Sequence, residues 1–218
     1  MTTMYSYQLD PAAAKQADGS AFITRTGKYI GVFTKAEHVI SDKGTVGVAF
    51  DFKTEQDEQA SFTLYTRRED GSTIFGYNQL HAIMGCLRLR ELTEPKNKMA
   101  NVWDKQENKR MDKPVLQFLE LLDKPIGLLI QMEEYATQSG DYKWRPNLLH
   151  AFCAKTELMA SEILEKKTEP QRLEKCIQKL ADKPVKDKGK PAPFNPQKPQ
   201  PHNELNPPPA DYDDDLPF

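Results

Sequence analysis

Between positions 46 and 53 apolar and polar side chains alternate, with Val46, Val48, Phe50 and Phe52 on one face and Gly47, Ala49, Asp51 and Lys53 on the other. A period of two is the signature of a strand buried on one side. The same period runs through 61–67, where Phe62, Leu64 and Thr66 oppose Thr63, Tyr65 and Arg67. Upstream, 27–40 (GKYIGVFTKAEHVI) is dense in β-formers and ends at the turn signal Ser41-Asp42-Lys43-Gly44. Three strands in a meander are therefore predicted, joined by that turn and by a charged loop at 55–58. Glu69-Asp70-Gly71-Ser72 then turns the chain again.

Beyond this turn the period changes. Tyr77, Leu80, Ile83, Met84, Leu87 and Leu89 recur at three and four, which predicts a helix over 78–90 capped by Asn78. The stretch 91–111 is polar and broken, and 113–122 (KPVLQFLELL) reads as a short helix entered through Pro114. Two further strands are predicted at 126–135 and 142–152, separated by Thr137-Gln138-Ser139-Gly140. Pro146 inside the second calls for an edge strand or a bulge. The segments 157–165 and 170–180 read as helices that cover the sheet or touch a second subunit.

Three meandering strands, a helix and two more strands is the order of the five-stranded oligonucleotide/oligosaccharide-binding barrel, the OB-fold. The expected class is an all-β core with added helices, built as that barrel, although an unrelated α+β sheet has the same order. Whether such a sheet closes is not written in strand order. The expected organisation is an OB-fold domain over 1–155 with an insertion at about 91–124, and a helical extension over 156–180.

After residue 180 the composition shifts. Ten of the 16 prolines lie from Lys183 onward, a density that removes backbone donors and blocks helix. The stretch 181–210 is expected to be a disordered linker, and 211–218 an acidic tip. Overall, 30 basic residues face 32 acidic ones, a formal charge of -2. The last 38 residues hold five lysines and seven carboxylates, which leaves 25 of each sign before them. Within them Lys183, Lys186, Lys188, Lys190 and Lys198 come first and the aspartates of the tip last. Cys86, Cys153 and Cys176 are too few and scattered for a disulfide framework, which points to a reducing cytoplasm. The most apolar run, 125–132 (PIGLLIQM), has the length of a strand and not of a membrane span.

Catalytic signatures are sparse. No phosphate-cradling glycine loop occurs, no acidic cluster suits two-metal chemistry, and His150 with Cys153 (HAFC) has no matching pair for zinc. The expectation is a protein that is not an enzyme and carries no cofactor. What recurs is aromatic beside basic, a combination that serves the bases and phosphates of a single strand. Tyr29, Phe33 and Lys35 share a face by strict alternation, Lys53 extends the second strand's polar face, and Tyr65 and Arg67 share the third strand's outer face. Tyr142, Lys143, Trp144 and Arg145 are consecutive, and Trp103 sits among Lys105, Lys109 and Arg110. Each of these aromatics could equally serve the core or anchor a loop.

The tail carries a resemblance. Asp211, Tyr212, Asp213, Asp214, Asp215, Leu216, Pro217 and Phe218 form a run that resembles the acidic tip of bacterial single-stranded DNA-binding proteins, with Leu216 where isoleucine is commoner. The resemblance implies a DNA-binding barrel, a flexible linker, and a tip that docks on replication, recombination and repair proteins through an apolar pocket with a basic rim. The insertion at 91–124 and the helices after 155 depart from the usual cellular member. They make the chain look more like a divergent bacteriophage-encoded relative in a bacterial host cytoplasm, for which the family's tetramer is in doubt and a homodimer stays open. The expected function is sequence-tolerant binding of single-stranded DNA with recruitment of partners through the tip. The alternatives are a protein-interaction adaptor or inhibitor that carries the tip, and a recombination annealing protein.

Overall fold

The structure, a computed structural model, describes residues 8–9, 22–104, 107, 109–137 and 139–185. Seven strands form one sheet: β1 (Gly27–Ile40), β2 (Val46–Thr54), β3 (Gln59–Arg67), β4 (Lys96–Asp104), β5 (Lys109–Gln117), β6 (Ile126–Ala136) and β7 (Tyr142–Phe152). Helix α1 (Phe75–Cys86) follows β3, a 3-10 turn (Leu119–Leu121) follows β5, and α2 (Ala160–Leu164) and α3 (Leu173–Gln178) follow β7.

The 14-residue β1 is the spine. One of its edges carries β2, with Gly31 opposite Thr54 and Ile40 opposite Val46. Its other edge is shared: Gly27–Gly31 pair with β6, and Glu37 pairs with Gln117 at the end of β5. Because β5 and β6 both run antiparallel to β1, the two hairpins leave in opposite directions. β4–β5 projects past the C-terminal end of β1, and β6–β7 past its N-terminal end.

Burial follows the alternation. Phe50, Phe52, Phe62 and Leu64 pack with Phe33, Leu128, Ile130 and Leu148 on one face of the sheet, and Leu80, Ile83 and Met84 of α1 cover them. The rings of Phe33 and Phe50 lie 4.5 Å apart between centroids. A smaller cluster of Leu129, Phe152 and Leu173 occupies the opposite face beneath α3, whereas Ala160 and Ile163 of α2 pack against the main core. The ring of Phe152 lies so close over Gly127 that a β-carbon there would come within 2.0 Å of it, so any larger residue at 127 displaces the ring.

The fold-class expectation is corrected here. The sheet has seven strands in the order β3-β2-β1-β5-β4, with β6 and β7 branching from β1, and no ladder joins β3 to β7. It is an open sheet and not a closed five-stranded OB barrel. The free edge of β3 is already engaged at both ends, since Ile23 N–H donates to Gln59 O at 2.7 Å and Ile74 N–H to Thr66 O at 3.0 Å. Helix α1 lies between β3 and β7 instead, with Gly76 against the main chain of Tyr65 and the Gln79 amide donating to Leu148 O.

Two local expectations also change. Helix α1 starts at Phe75 behind an extended Ile74 that makes no side-chain cap, and Asn78 lies inside the helix. The main-chain bond of Ile74 to β3 sets that start. The described residues of 91–122 hold no α-helix: the polar stretch and the first half of KPVLQFLELL pair as β4 and β5, with Met99 opposite Pro114. Pro146 does lie on an edge strand, opposite Met132.

Candidate nucleic-acid interface

The residues chosen for aromatic and basic character do not form one groove. Strict alternation fails in β1, where the register shifts between Phe33 and Lys35. This bulge sends Phe33 inward and Lys35 outward. Phe33 is fully buried in the main core, which corrects its assignment to a binding surface. Tyr29 packs against the same core, and its hydroxyl donates to Arg25 O at 2.8 Å. Burial, then the Glu58 carboxylate, push that phenol above its ordinary pKa. Tyr29 also lines a cleft of about 670 Å³ together with Lys28, Lys155, Glu55 and Glu58, and Lys28 pairs with Glu157.

On the outer face of β1–β3 the cations are largely committed within the chain. Lys35 is shared between Asp51 at 3.2 Å and Glu37 at 3.5 Å, and Lys53 pairs with Asp57 at 2.7 Å. The ring of Tyr65 lies beside Gly47, where a β-carbon would stand 3.1 Å from it. Arg67 stacks on the ring of Tyr77 at 5.0 Å, and that ring meets His81 at 4.2 Å between centroids. This stack joins β3 to α1, and Tyr77 and His81 were missed as surface candidates. Their i, i+4 spacing on a helix was the available signal.

The β6–β7 arm is different. Trp144 is 45 % exposed and Tyr142 36 %. They share the face that carries Pro146 and, nearer the body, the core residue Leu148. The opposite face of the arm holds Glu133, Tyr135, Lys143 and Arg145 in register. There Arg145 pairs with Glu133 at 3.2 Å and lies 5.3 Å from the Tyr135 ring. The consecutive residues Tyr142, Lys143, Trp144 and Arg145 are thus split by the strand period, aromatics on one side and cations on the other. Two platforms at i and i+2 stand ~7 Å apart along the strand, a spacing that lets neighbouring bases stack on separate rings.

The arm is braced along its other edge by residues 181–185, a segment read as linker from its composition. Lys183 N–H donates to Met132 O and Glu134 N–H to Lys183 O, both at 2.9 Å. Lys183 also pairs with Glu133, and Val185 N–H donates to Glu134 at 3.1 Å. Burial opposes ionisation of Glu133, but the Lys183 ammonium and the Arg145 guanidinium outweigh it and hold the carboxyl below its ordinary pKa.

Trp103 lies on β4 opposite Arg110. The tip residues Asp211, Asp213, Asp214, Asp215, Leu216, Pro217 and Phe218 fall outside the described residues. No family model matches the chain, and no curated protein matches it. The resemblance to bacterial single-stranded DNA-binding proteins is corrected accordingly: the open seven-stranded sheet is not the barrel it implied, and no comparison supports membership of that family or the bacteriophage origin read from the insertion and the helices after 155.

Proposed function

We propose that the protein binds single-stranded DNA with little sequence preference, using Tyr142 and Trp144 as stacking platforms and Lys143 and Arg145, on the other face of the same strand, as phosphate contacts. The observation that carries this reading is the pair of exposed rings on one side of an arm that reaches past the spine. Base stacking tolerates any sequence because every base has a flat face, and cations on the same strand serve the backbone phosphates. Arg67 with its Tyr77 stack supplies a second basic and aromatic spot on the body. Segment 211–218 contributes recruitment of partner proteins, its aspartates steering approach to a basic surface and Leu216 and Phe218 offering apolar anchors.

The test is a fluorescence titration of the full chain with oligo-dT and, in parallel, with a duplex of equal length. The chain has two tryptophans. Saturable quenching by the single strand, with weaker binding of the duplex, is expected. A chain that does not bind oligo-dT at low salt, yet captures proteins through 211–218, contradicts the reading and favours the adaptor.

A further inference from the structure

We propose that the chain forms a two-fold dimer by pairing the β4 edge of one copy antiparallel to the β4 edge of a second. Among the described residues β4 ends the sheet, and its nine residues are laddered to β5 alone. The β4–β5 hairpin joins the spine at the single register pair Glu37 and Gln117 and extends past it; Lys98 reaches back to pair with Asp123 at 3.7 Å, but among the described residues no strand other than β5 pairs with the main chain of β4. A long, uncovered edge strand is a template for another strand.

The sequence of β4 is complementary to itself. Paired antiparallel about Ala100, Lys96 of each copy falls at the register position of Asp104 of the other, and Lys98 at that of Val102. Each end of the ladder thus sets a lysine at the register position of an aspartate, and the axis passes through a small residue. Steering charges of this kind fix register as well as partner.

The apolar pattern agrees with the same axis. Met99 is 59 % exposed and Leu116 is 45 % exposed, and Pro114, opposite Met99, is exposed between them. These three share one face of the hairpin. In the dimer the two Met99 positions become diagonal neighbours across the seam. The two short stripes then join into one continuous stripe, shielded on its inner side by the new strand pairing. An isologous contact of this kind closes on itself and adds no further copies.

The test is the mass of the full chain in solution by sedimentation across a micromolar concentration series. The wild type is expected to dimerise. Ala100→Glu sets two carboxylates against each other on the axis, while in its own hairpin position 100 faces Lys113, so the variant is expected to fold and remain a monomer. Lys96→Glu is expected to raise the dimer dissociation constant by about tenfold through its two symmetry-related pairs. Adding Asp104→Lys to it is expected to restore dimerisation. A monomeric wild type, a dimer indifferent to Ala100→Glu, or a charge swap that fails to rescue Lys96→Glu would each overturn the proposal.

Discussion

Glu162 shows how a single side chain can organise a segment. It is fully buried, and its carboxylate accepts the backbone N–H of Met159 at 2.9 Å, Gln171 at 2.7 Å and Arg172 at 3.1 Å. Burial disfavours the charge, but these donors outweigh it and hold the carboxyl below its ordinary pKa. Glu162→Gln turns an amide donor toward donors and should cost about 1–3 kcal/mol in denaturant unfolding. The pH dependence has a definite sign. A carboxyl with a depressed folded pKa adds stability that is complete above its unfolded value of roughly 4.3 and is lost as pH falls through the folded value. Unfolding free energy should therefore fall on acidification below about pH 4, and the Glu162→Gln variant should lose less of it. Phe33 makes the complementary case. If the bulge turns it inward, Phe33→Ala should cost about 3–5 kcal/mol of stability, and a variant as stable as the parent would return Phe33 to the surface.

At the scale of elements, legibility depended on whether a core lay on one side. β2 and β3 were readable because burial on a single face imposes strict alternation on Val48, Phe50, Phe52, Phe62 and Leu64. β4 and β5 have no such core beneath them, so KNKMANVWD and the start of KRMDKPVLQ show no strand alternation and read as polar and broken. The apparent helix at 113–122 arose from joining the end of β5 to the 3-10 turn, whose Phe118 N–H is held by Ala36 O at 2.9 Å. The face of Lys35 was lost for another reason: a bulge at one residue reverses every later side chain, and nothing in GKYIGVFTK announces it. The brace at 181–185 was hidden by composition, since its bonds are mostly main-chain and polar. Lys183→Pro removes the N–H donor to Met132 and the ion pair to Glu133. It should cost ~1 kcal/mol and speed amide exchange at Glu134, whereas unchanged exchange there would mean that the brace does not hold the arm.

For the whole molecule, the central relation is between a neutral body and two arms that leave one spine in opposite directions. With 25 charges of each sign through residue 180, the body has no general attraction for a polyanion, so on the proposed reading affinity comes from the exposed rings of the arm and the few cations on the other face of the same strand. Affinity for oligo-dT should then fall as salt rises, with a logarithmic slope that counts the few phosphates neutralised. A shallow slope of about one to two, at about 0.7 per phosphate, fits an arm carrying Lys143 and Arg145 better than an extended groove would. The most direct test is the dissociation constant for oligo-dT of Trp144→Ala against the parent, at one fixed salt concentration. Loss of one stacking platform should weaken binding by about 1–3 kcal/mol while the thermal midpoint stays put, because the ring lies outside both cores. Equal affinity of variant and parent would contradict the assignment of the β6–β7 arm as the DNA-binding surface.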